Sequence, residues 1–160
     1  MNPISDQDNL AARELTLTRL FDTTPEKVYR AWTEPDLLRQ WFAPLPWTTP
    51  VAELDLRPGG ANLIIMRSPQ GEDFPNHGVY LDVVKNERLV FTDAYTCAWV
   101  PSERPFMTVI LTFEAVDGKT RYTARVRHWS VADREAHEQR GFHQGWGQCA
   151  DQLAELLKQF

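Results

Sequence analysis

The sequence predicts an α+β domain in which a curved seven-stranded antiparallel sheet packs against one long C-terminal helix. Between residues 13 and 128, seven segments show the alternating or β-branched pattern of strands and are separated by short turns. The last twenty residues, GFHQGWGQCADQLAELLKQF, place apolar side chains at steps of three and four, which is one stripe of a helix. A helix with such a stripe buries it against one face of the sheet, and two layers result.

The N-terminal part of the chain holds the first strand and two short helices. Residues 1–12 are predicted to form a flexible N-terminal segment, and residues 13–160 a single domain. RELTLTRLF alternates and is the first strand. DTTPEKVYRAW has helical spacing, with Thr23 or Thr24 as the cap and Glu26 completing a capping box with Thr23. DLLRQWF is the second short helix, because the prolines of APLPWTTP forbid its continuation.

Six further strands follow at hairpin spacing, and a helical region ends the chain. The strands are VAELDL, ANLIIMR, HGVYLDVV, RLVFTDAY, FMTVILTFEAV and TRYTARVRH, with a longer loop through VPSERP before the fifth of these. Ser130 with Asp133 gives the signal of a helix start. This helix is predicted to continue, with a kink near Gly141, to the end of the chain.

Three glycines, at positions 141, 145 and 147, occupy the first turns of the terminal helix. Each costs up to about 1 kcal/mol against alanine in a helix interior. They either allow the helix to approach the sheet closely or leave open volume beside Trp146, and the spacing leaves both alternatives open.

Composition excludes several classes of function. A net charge of -5, with no run of Lys and Arg, argues against nucleic acid and anionic membrane as partners. The opening MNPISDQDNLAAREL lacks the features of a signal peptide, and no apolar run approaches the ~18 residues of a membrane span. A cytoplasmic protein is therefore expected, with Cys97 and Cys149 as reduced thiols.

Neither a metal nor a cofactor is predicted. The four histidines, His77, His128, His137 and His143, include no pair at i and i+4 on a helix. A Gly-x-Gly-x-x-Gly turn and a P-loop are both absent, and RPGG is interpreted as a hairpin turn.

An acid–base site is one hypothesis that the strands raise. Tyr80 and Asp82 share one face of HGVYLDVV, and His128 ends the apolar face of the last strand. If both faces point inward, a phenol, a carboxylate and an imidazole enter one cavity. The opposite parity of HGVYLDVV is equally apolar, and hydrogen-bonded core or rim groups are the favoured interpretation.

Aromatic and sulfur-containing side chains supply the lining of a predicted ligand pocket. Such side chains present an apolar surface and, in Tyr and Trp, a polar edge that orients a ligand. The predicted ligand-binding residues are Trp41, Phe42, Trp47, Met66, Tyr80, Tyr95, Trp99, Met107, His128, Phe142 and Trp146.

Several sequence segments, taken in their order along the chain, also resemble a known protein family. Five segments are similar to bacterial relatives of the heat-shock protein 90 ATPase activator, in the START-like or SRPBCC superfamily. In chain order they are LTRLFDTTPEKVYRAWTEPDLLRQWFAP, DLRPGG, HGVYLDVVKNERLVFTDAY, LTFEAVDGKTRYT and GFHQGWGQCADQLAEL. The resemblance covers about residues 13–160 and implies a helix-grip fold, in which the sheet wraps around the C-terminal helix and leaves a hydrophobic cavity. Superfamily members bind lipids, sterols and polyketides, and some are enzymes. The chaperone-activating members carry an additional N-terminal domain, which the first twelve residues here do not match.

The function expected from these observations is binding of a small hydrophobic or aromatic ligand between the sheet and the C-terminal helix. One alternative is a cyclase, hydratase or hydrolase that uses Tyr80, Asp82 and His128 as acid, base and orienter. Another, implied by the resemblance, is a chaperone-associated interaction domain with a role in stress response. A monomer and a homodimer are both compatible with the sequence.

Overall fold

The computed structural model describes residues 10–160. Within this range the elements are β1 (Glu14–Phe21), α1 (Pro25–Thr33), α2 (Pro35–Leu38), β2 (Thr48–Leu54), β3 (Ala61–Arg67), β4 (Asp73–Val84), β5 (Arg88–Thr92), β6 (Tyr95–Cys97), β7 (Val100–Pro101), β8 (Met107–Val116), β9 (Lys119–His128), α3 (Val131–Gln139) and α4 (Phe142–Leu157). Most of the predicted flexible segment, residues 1–9, lies outside the described residues. Ala12 is held by Arg134, whose Nε donates to its carbonyl oxygen at 3.0 Å.

Seven strands form one antiparallel sheet in the order β1-β9-β8-β5-β4-β3-β2. The predicted α+β class, strand number and helix-grip architecture are confirmed. The segment between β5 and β8 differs from the predicted loop, because β6 and β7 pair as a separate two-stranded hairpin. No helix within residues 10–160 has the length and apolar character needed to cross a membrane.

The inward face of the sheet carries the core. Period-two alternation places every second side chain of β1, β8 and β9 on this face. The apolar stripe of α4 covers it, with Phe142, Ala150, Leu153, Leu156 and Leu157 buried. Burial of these side chains is the main stabilising contribution, at about 25 cal/mol per Å² of apolar surface removed from water.

A β-bulge in β4 changes which side chains point inward. The register with β5 shifts between Tyr80 and Asp82, which leaves Leu81 as the extra residue. Tyr80 therefore points into the core, whereas Asp82 two residues later points outward. Without the bulge these two residues would share a face.

Two local predictions about helix starts have different outcomes. Thr24 is the N-cap of α1, with Pro25 at the first position, but its side chain makes no capping hydrogen bond, so the predicted capping box is wrong. Ser130 does cap α3, because its Oγ accepts from the Asp133 N–H at 3.1 Å.

The predicted continuous C-terminal helix is instead two helices. Gly141 separates α3 from α4 and has a φ of 101°. Residues with a Cβ rarely adopt this left-handed conformation, so a glycine is suited to the sharp change of direction. Gly141 is thus a junction residue, and it does not weaken the interior of a helix.

Candidate functional site

The end of the inward face beneath α1 is filled by aromatic rings. Trp32 lies at its centre, with ring centroids 4.8 Å from Trp41, 5.8 Å from Phe91 and 6.0 Å from Phe42. The Trp41 Nε1 donates to the Ala31 carbonyl oxygen at 3.0 Å. Trp41 and Phe42, both predicted to line a ligand pocket, therefore contact one another and the core. The cavity implied by the resemblance is occupied here by protein side chains.

Tyr80 belongs to the same aromatic cluster. It is 3% exposed, and its ring centroid lies 6.3 Å from that of Phe91. Burial raises the pKa of the Tyr80 phenol strongly, and the nearby Tyr29 adds to the rise. Tyr80 is consequently a neutral, buried hydroxyl at physiological pH.

Polar groups of Trp32, Tyr122 and Arg19 lie near one another at the edge of this cluster. Gly147 of α4 lies against the Arg19 guanidinium. Arg19 and Tyr122 are cross-strand neighbours on β1 and β9, and both point inward. Burial raises the pKa of the Tyr122 phenol, and the Trp32 indole N–H and the Arg19 guanidinium oppose this rise. Burial also raises the pKa of the adjacent Cys149 thiol to about 11.

The three proposed acid–base residues do not meet. Asp82 lies on the outer face, where its Oδ2 accepts from Arg88 Nε at 2.7 Å. Tyr80 on β4 and His128 on β9 are separated by three strand spacings of about 4.8 Å each. One substrate atom cannot contact both, so the structure gives no support to a shared catalytic site.

His128 forms part of a histidine pair near the start of α4. Its Nδ1 lies 2.8 Å from the Arg13 carbonyl oxygen, and its Nε2 lies 2.8 Å from His137 Nδ1. Because a carbonyl only accepts, His128 Nδ1 carries a proton, and in the neutral pair His137 Nδ1 donates to His128 Nε2. Burial, together with the proximity of His128 and of Arg140, lowers the pKa of His137 to about 4.

The opposite end of the inward face, in β3 and β4, remains open, and we call it the open end. Ile64 is buried there, but its neighbour Asn76, directly across on the same face, is exposed. The next pair along the strands is Met66 and Phe74, of which Met66 is half-buried and Phe74 is 44% exposed. Apolar side chains on the core side of a sheet are exposed only where no second layer covers them.

The loop after α2 borders the open end. Its residues 41–45 are held against α4 by Gln152, whose Nε2 donates to the carbonyl oxygens of Trp41 and Ala43, each at 2.9 Å. Just beyond this loop, the Trp47 ring lies 5.4 Å from that of Phe74. Gly145 occupies the same side of α4 as Gln152, at a spacing of two helical turns. A Cβ at Gly145 would meet no atom within 4 Å, so there is open space beside the helix.

Gly147, unlike Gly145, lies close to a side chain of the sheet. A Cβ at this position would lie 3.1 Å from Arg19 Nη2. The helix therefore approaches the sheet closely at Gly147, whereas open volume lies beside Gly145. Each of the two alternatives that the sequence left open is observed at one of these glycines.

Asn62 lies beside the open end. It is 8% exposed, and its side-chain oxygen would be 3.1 Å from a Cβ at Gly78, its cross-strand neighbour. Such a Cβ would also lie 2.8 Å from the Thr92 carbonyl oxygen, which makes glycine necessary.

The remaining predicted lining residues are divided between the surface and the histidine pair. Tyr95 and Trp99 lie on the β6–β7 hairpin and are 39% and 93% exposed, so they do not line the interior. Met107 faces His128 across the β8–β9 ladder. The Phe142 ring is 5.4 Å from Trp146 and 5.1 Å from His137.

Two clefts lie on other parts of the surface. One of about 720 Å³ is bounded by the start of α1, the β4–β5 turn and the end of β8. The other, of about 490 Å³, lies between β2, β3, His77 and Thr96. None of the predicted ligand-binding residues lines either cleft. Across residues 10–160, no group of three or more His, Cys, Asp or Glu side chains has the arrangement of a metal site.

Sequence reasoning missed Arg19, Asn62 and His137. Arg19 occupies an apolar-face position in the alternating strand Leu15, Leu17, Arg19, Phe21, and this interruption was the available signal. Asn62 similarly interrupts the apolar face that Ile64 continues. The contact of His137 with His128 depends on the turn between β9 and α3, and no local spacing predicts it.

Comparison with known proteins places the chain in a family. The model of the family described as "Activator of Hsp90 ATPase homolog 1-like protein" matches residues 22–158. A solved structure from Nitrosomonas europaea is 40% identical, covers 93% of this chain and 96% of its own, and has a TM-score of 0.90. One from Chromobacterium violaceum is 26% identical, covers 89% and 96%, and has a TM-score of 0.74.

An AHSA1-like protein from Aeromonas hydrophila is 22% identical, covers 91% of this chain and 92% of its own, and has a TM-score of 0.71, which shows the shared fold. No curated protein matches the chain. Because the family model covers most of the sequence, the chain belongs to the Activator of Hsp90 ATPase homolog 1-like family of the START-like superfamily.

Proposed function

We propose that the protein binds a small apolar or aromatic molecule, carrying at least one hydrogen-bonding group, at the open end. The observation behind this proposal is that Phe74 and Asn76 are exposed although they share the inward face with the buried Ile64. The same face is covered by α1 at its other end. A guest molecule at the open end would take the place of that second layer.

The chemistry of the open end suits an aromatic guest. Trp47, Met66 and Phe74 present apolar surface, and the sulfur of Met66 and the two rings make favourable contacts with aromatic groups. Asn76 donates from Nδ2 to the carbonyl oxygens of Ile64 and Phe74, each at 3.2 Å, so its side-chain oxygen is available as an acceptor. A hydroxyl on the guest would use this acceptor.

A thermal-shift screen of fatty acids, sterols, flavonoids and polyketides tests the proposal. A compound that binds only the folded protein at 100 times its Kd adds about 2.7 kcal/mol of stability. Phe74→Ala should reduce the shift. Leu81→Ala is the matched control, because Leu81 lies on the same strand and is 48% exposed at the bulge. No shift with any compound, together with no co-purified mass in native mass spectrometry, would contradict the proposal.

A second candidate is a chaperone-associated role, which the family description supports. The exposed apolar side chains Tyr95, Trp99 and Val100 on the β6–β7 hairpin fit a protein contact. Stimulation of a chaperone ATPase by the protein, lost in Trp99→Ala, would support this role. A flat response over a range of protein concentrations would exclude it.

A further inference from the structure

Residues 43–47, which we call the lid loop, are fixed at both ends and make few contacts between those ends. Trp41 before the loop and Thr49 after it are buried, at 3% and 4% exposed. Within the described chain the lid loop has one backbone hydrogen bond, from the Trp47 N–H to the Pro44 carbonyl oxygen at 3.0 Å. No strand or helix backbone therefore holds the loop in place among the described residues.

Two glutamines of α4 supply the other hydrogen bonds of the lid loop. Besides its bonds to the carbonyl oxygens of Trp41 and Ala43, Gln152 accepts at Oε1 from the Leu45 N–H at 2.9 Å. Gln148 adds a longer bond, from its Nε2 to the Leu45 carbonyl oxygen at 3.2 Å. A primary amide has two N–H donors and one acceptor oxygen, so this network engages every polar group of Gln152.

The backbone of Ala43 opposes this arrangement. Its φ is 96°, a left-handed value that residues with a Cβ rarely adopt. Such strain persists only where the surrounding contacts outweigh it. Gln152 makes one of these contacts directly, because it donates to the Ala43 carbonyl oxygen at 2.9 Å. The strain at Ala43 and the hydrogen bonds of Gln152 thus act in opposite directions on the position of the lid loop.

The lid loop carries Trp47 to the open end. The half-buried Trp47 ring has its centroid 5.4 Å from that of Phe74, and Leu45 in the middle of the loop is 66% exposed. Segments with few buried contacts open most readily in a folded protein, and ligand-binding lids are drawn from such segments. Movement of the lid loop changes how much of Phe74 the Trp47 ring covers.

We infer that the lid loop opens and closes over a guest molecule at the open end, and that Gln152 is the positioning residue that holds it closed. In the closed position Trp47 packs over the guest and shields it from water. The guest itself rests on the proposed function, whereas the hold of Gln152 on the loop exists without one. Gln152 acts through the backbone of the loop and needs no contact with the guest.

Native-state amide hydrogen exchange of the ligand-free protein tests the movement of the loop. The Leu45 amide should exchange by a local opening, so its rate should not respond to low concentrations of urea. The Val109 amide in the buried strand β8 should exchange by global unfolding, at a rate that urea increases. Equal responses of the two amides to urea would contradict a separate movement of the lid loop.

Substitutions test the hold of Gln152. Gln152→Met keeps the length of the side chain and removes its polar groups, so the Leu45 amide should exchange about tenfold faster. Ala43→Gly removes the strain and should slow this exchange. Gln144→Met is the matched control, because Gln144 is exposed on α4 and has no hydrogen bond to the lid loop within the described chain. Equal Leu45 rates in the two methionine variants, or faster exchange in Ala43→Gly, would overturn the inference.

The dissociation rate of 1-naphthol connects the lid loop to the guest. Gln152→Met should raise the dissociation rate constant about tenfold, because release waits for the loop to open. An unchanged rate constant in this variant, together with faster Leu45 exchange, would show that the loop does not close over the guest. Failure of 1-naphthol to bind the unchanged protein would contradict the proposed function instead, and the ligand-free exchange rates would still decide whether Gln152 holds the loop.

Discussion

The two ends of the inward face are built by the same alternation of strand side chains, but they differ in what covers them. Beneath α1, alternating side chains meet a second layer, and Trp41 and Tyr80 are each 3% exposed. In β3 and β4 the alternation continues, but Phe74 is 44% exposed. The strand pattern determines which side chains point inward, whereas the helices and loops determine whether those side chains are covered. A binding site arises where the first condition holds and the second does not.

The two ends should differ most in how much stability is lost when one aromatic ring is removed. Trp41→Ala should lower the free energy of unfolding by about 3–5 kcal/mol, because it leaves a cavity among packed aromatics. Phe74→Ala should cost at most about 1 kcal/mol, since much of its ring already contacts water. Urea denaturation measures both values. Similar losses for the two variants would contradict the difference between a closed and an open end.

The glycines of α4 give a smaller and matched comparison. Gly145→Ala should raise the free energy of unfolding by about 0.5–1 kcal/mol, because alanine favours the helix and its Cβ meets no neighbour. Gly147→Ala should stabilise less or should destabilise, because its Cβ presses on the Arg19 guanidinium.

Thermal or chemical denaturation of both variants measures the difference. An equal gain from the two alanines would show that Gly147 does not make the close contact with Arg19.

The smallest predicted effect concerns pH. His137 has a folded-state pKa of about 4, below the value of about 6.5 in an unfolded chain. Protonation therefore favours the unfolded chain, so stability from this residue is present above about pH 6.5 and decreases as the pH falls to about 4. His137 is partly exposed, and solvent screening reduces the size of the effect.

His137→Asn retains a donor near the His137 Nδ1 position and removes the titration. Melting temperatures measured from pH 7 to pH 4 should fall less steeply in this variant than in the unchanged protein. Carboxylates titrate in both proteins, so the difference between the two curves is the quantity that matters. Parallel curves would contradict the assigned pKa shift of His137.

Local patterns predicted much of the fold. The seven strands, the helix at the C-terminus and the Ser130 cap all follow from side-chain periodicity and from the chemistry of individual residues. The position of Arg19 on the apolar face of β1 is also contained in the alternation.

Features that depend on distant parts of the chain could not be predicted in this way. The bulge after Tyr80 turns the Asp82 side chain to the outer face. The two alternating faces of that segment are equally apolar, so hydrophobicity does not indicate which one points inward. The conformation of Gly141 ends α3, although the apolar spacing continues through it. Phe74 is exposed because of the position of the loop after α2, and the sequence of β4 contains no information about that position.

The most direct test of the central claim is a backbone amide chemical-shift map during titration with 1-naphthol, which has an aromatic body and one hydroxyl. The proposed function predicts that the largest changes fall at Trp47, Met66, Phe74 and Asn76, and at Gly145 across the opening. Changes concentrated at the start of α1 and the β4–β5 turn, or no saturable change at any residue, would contradict it.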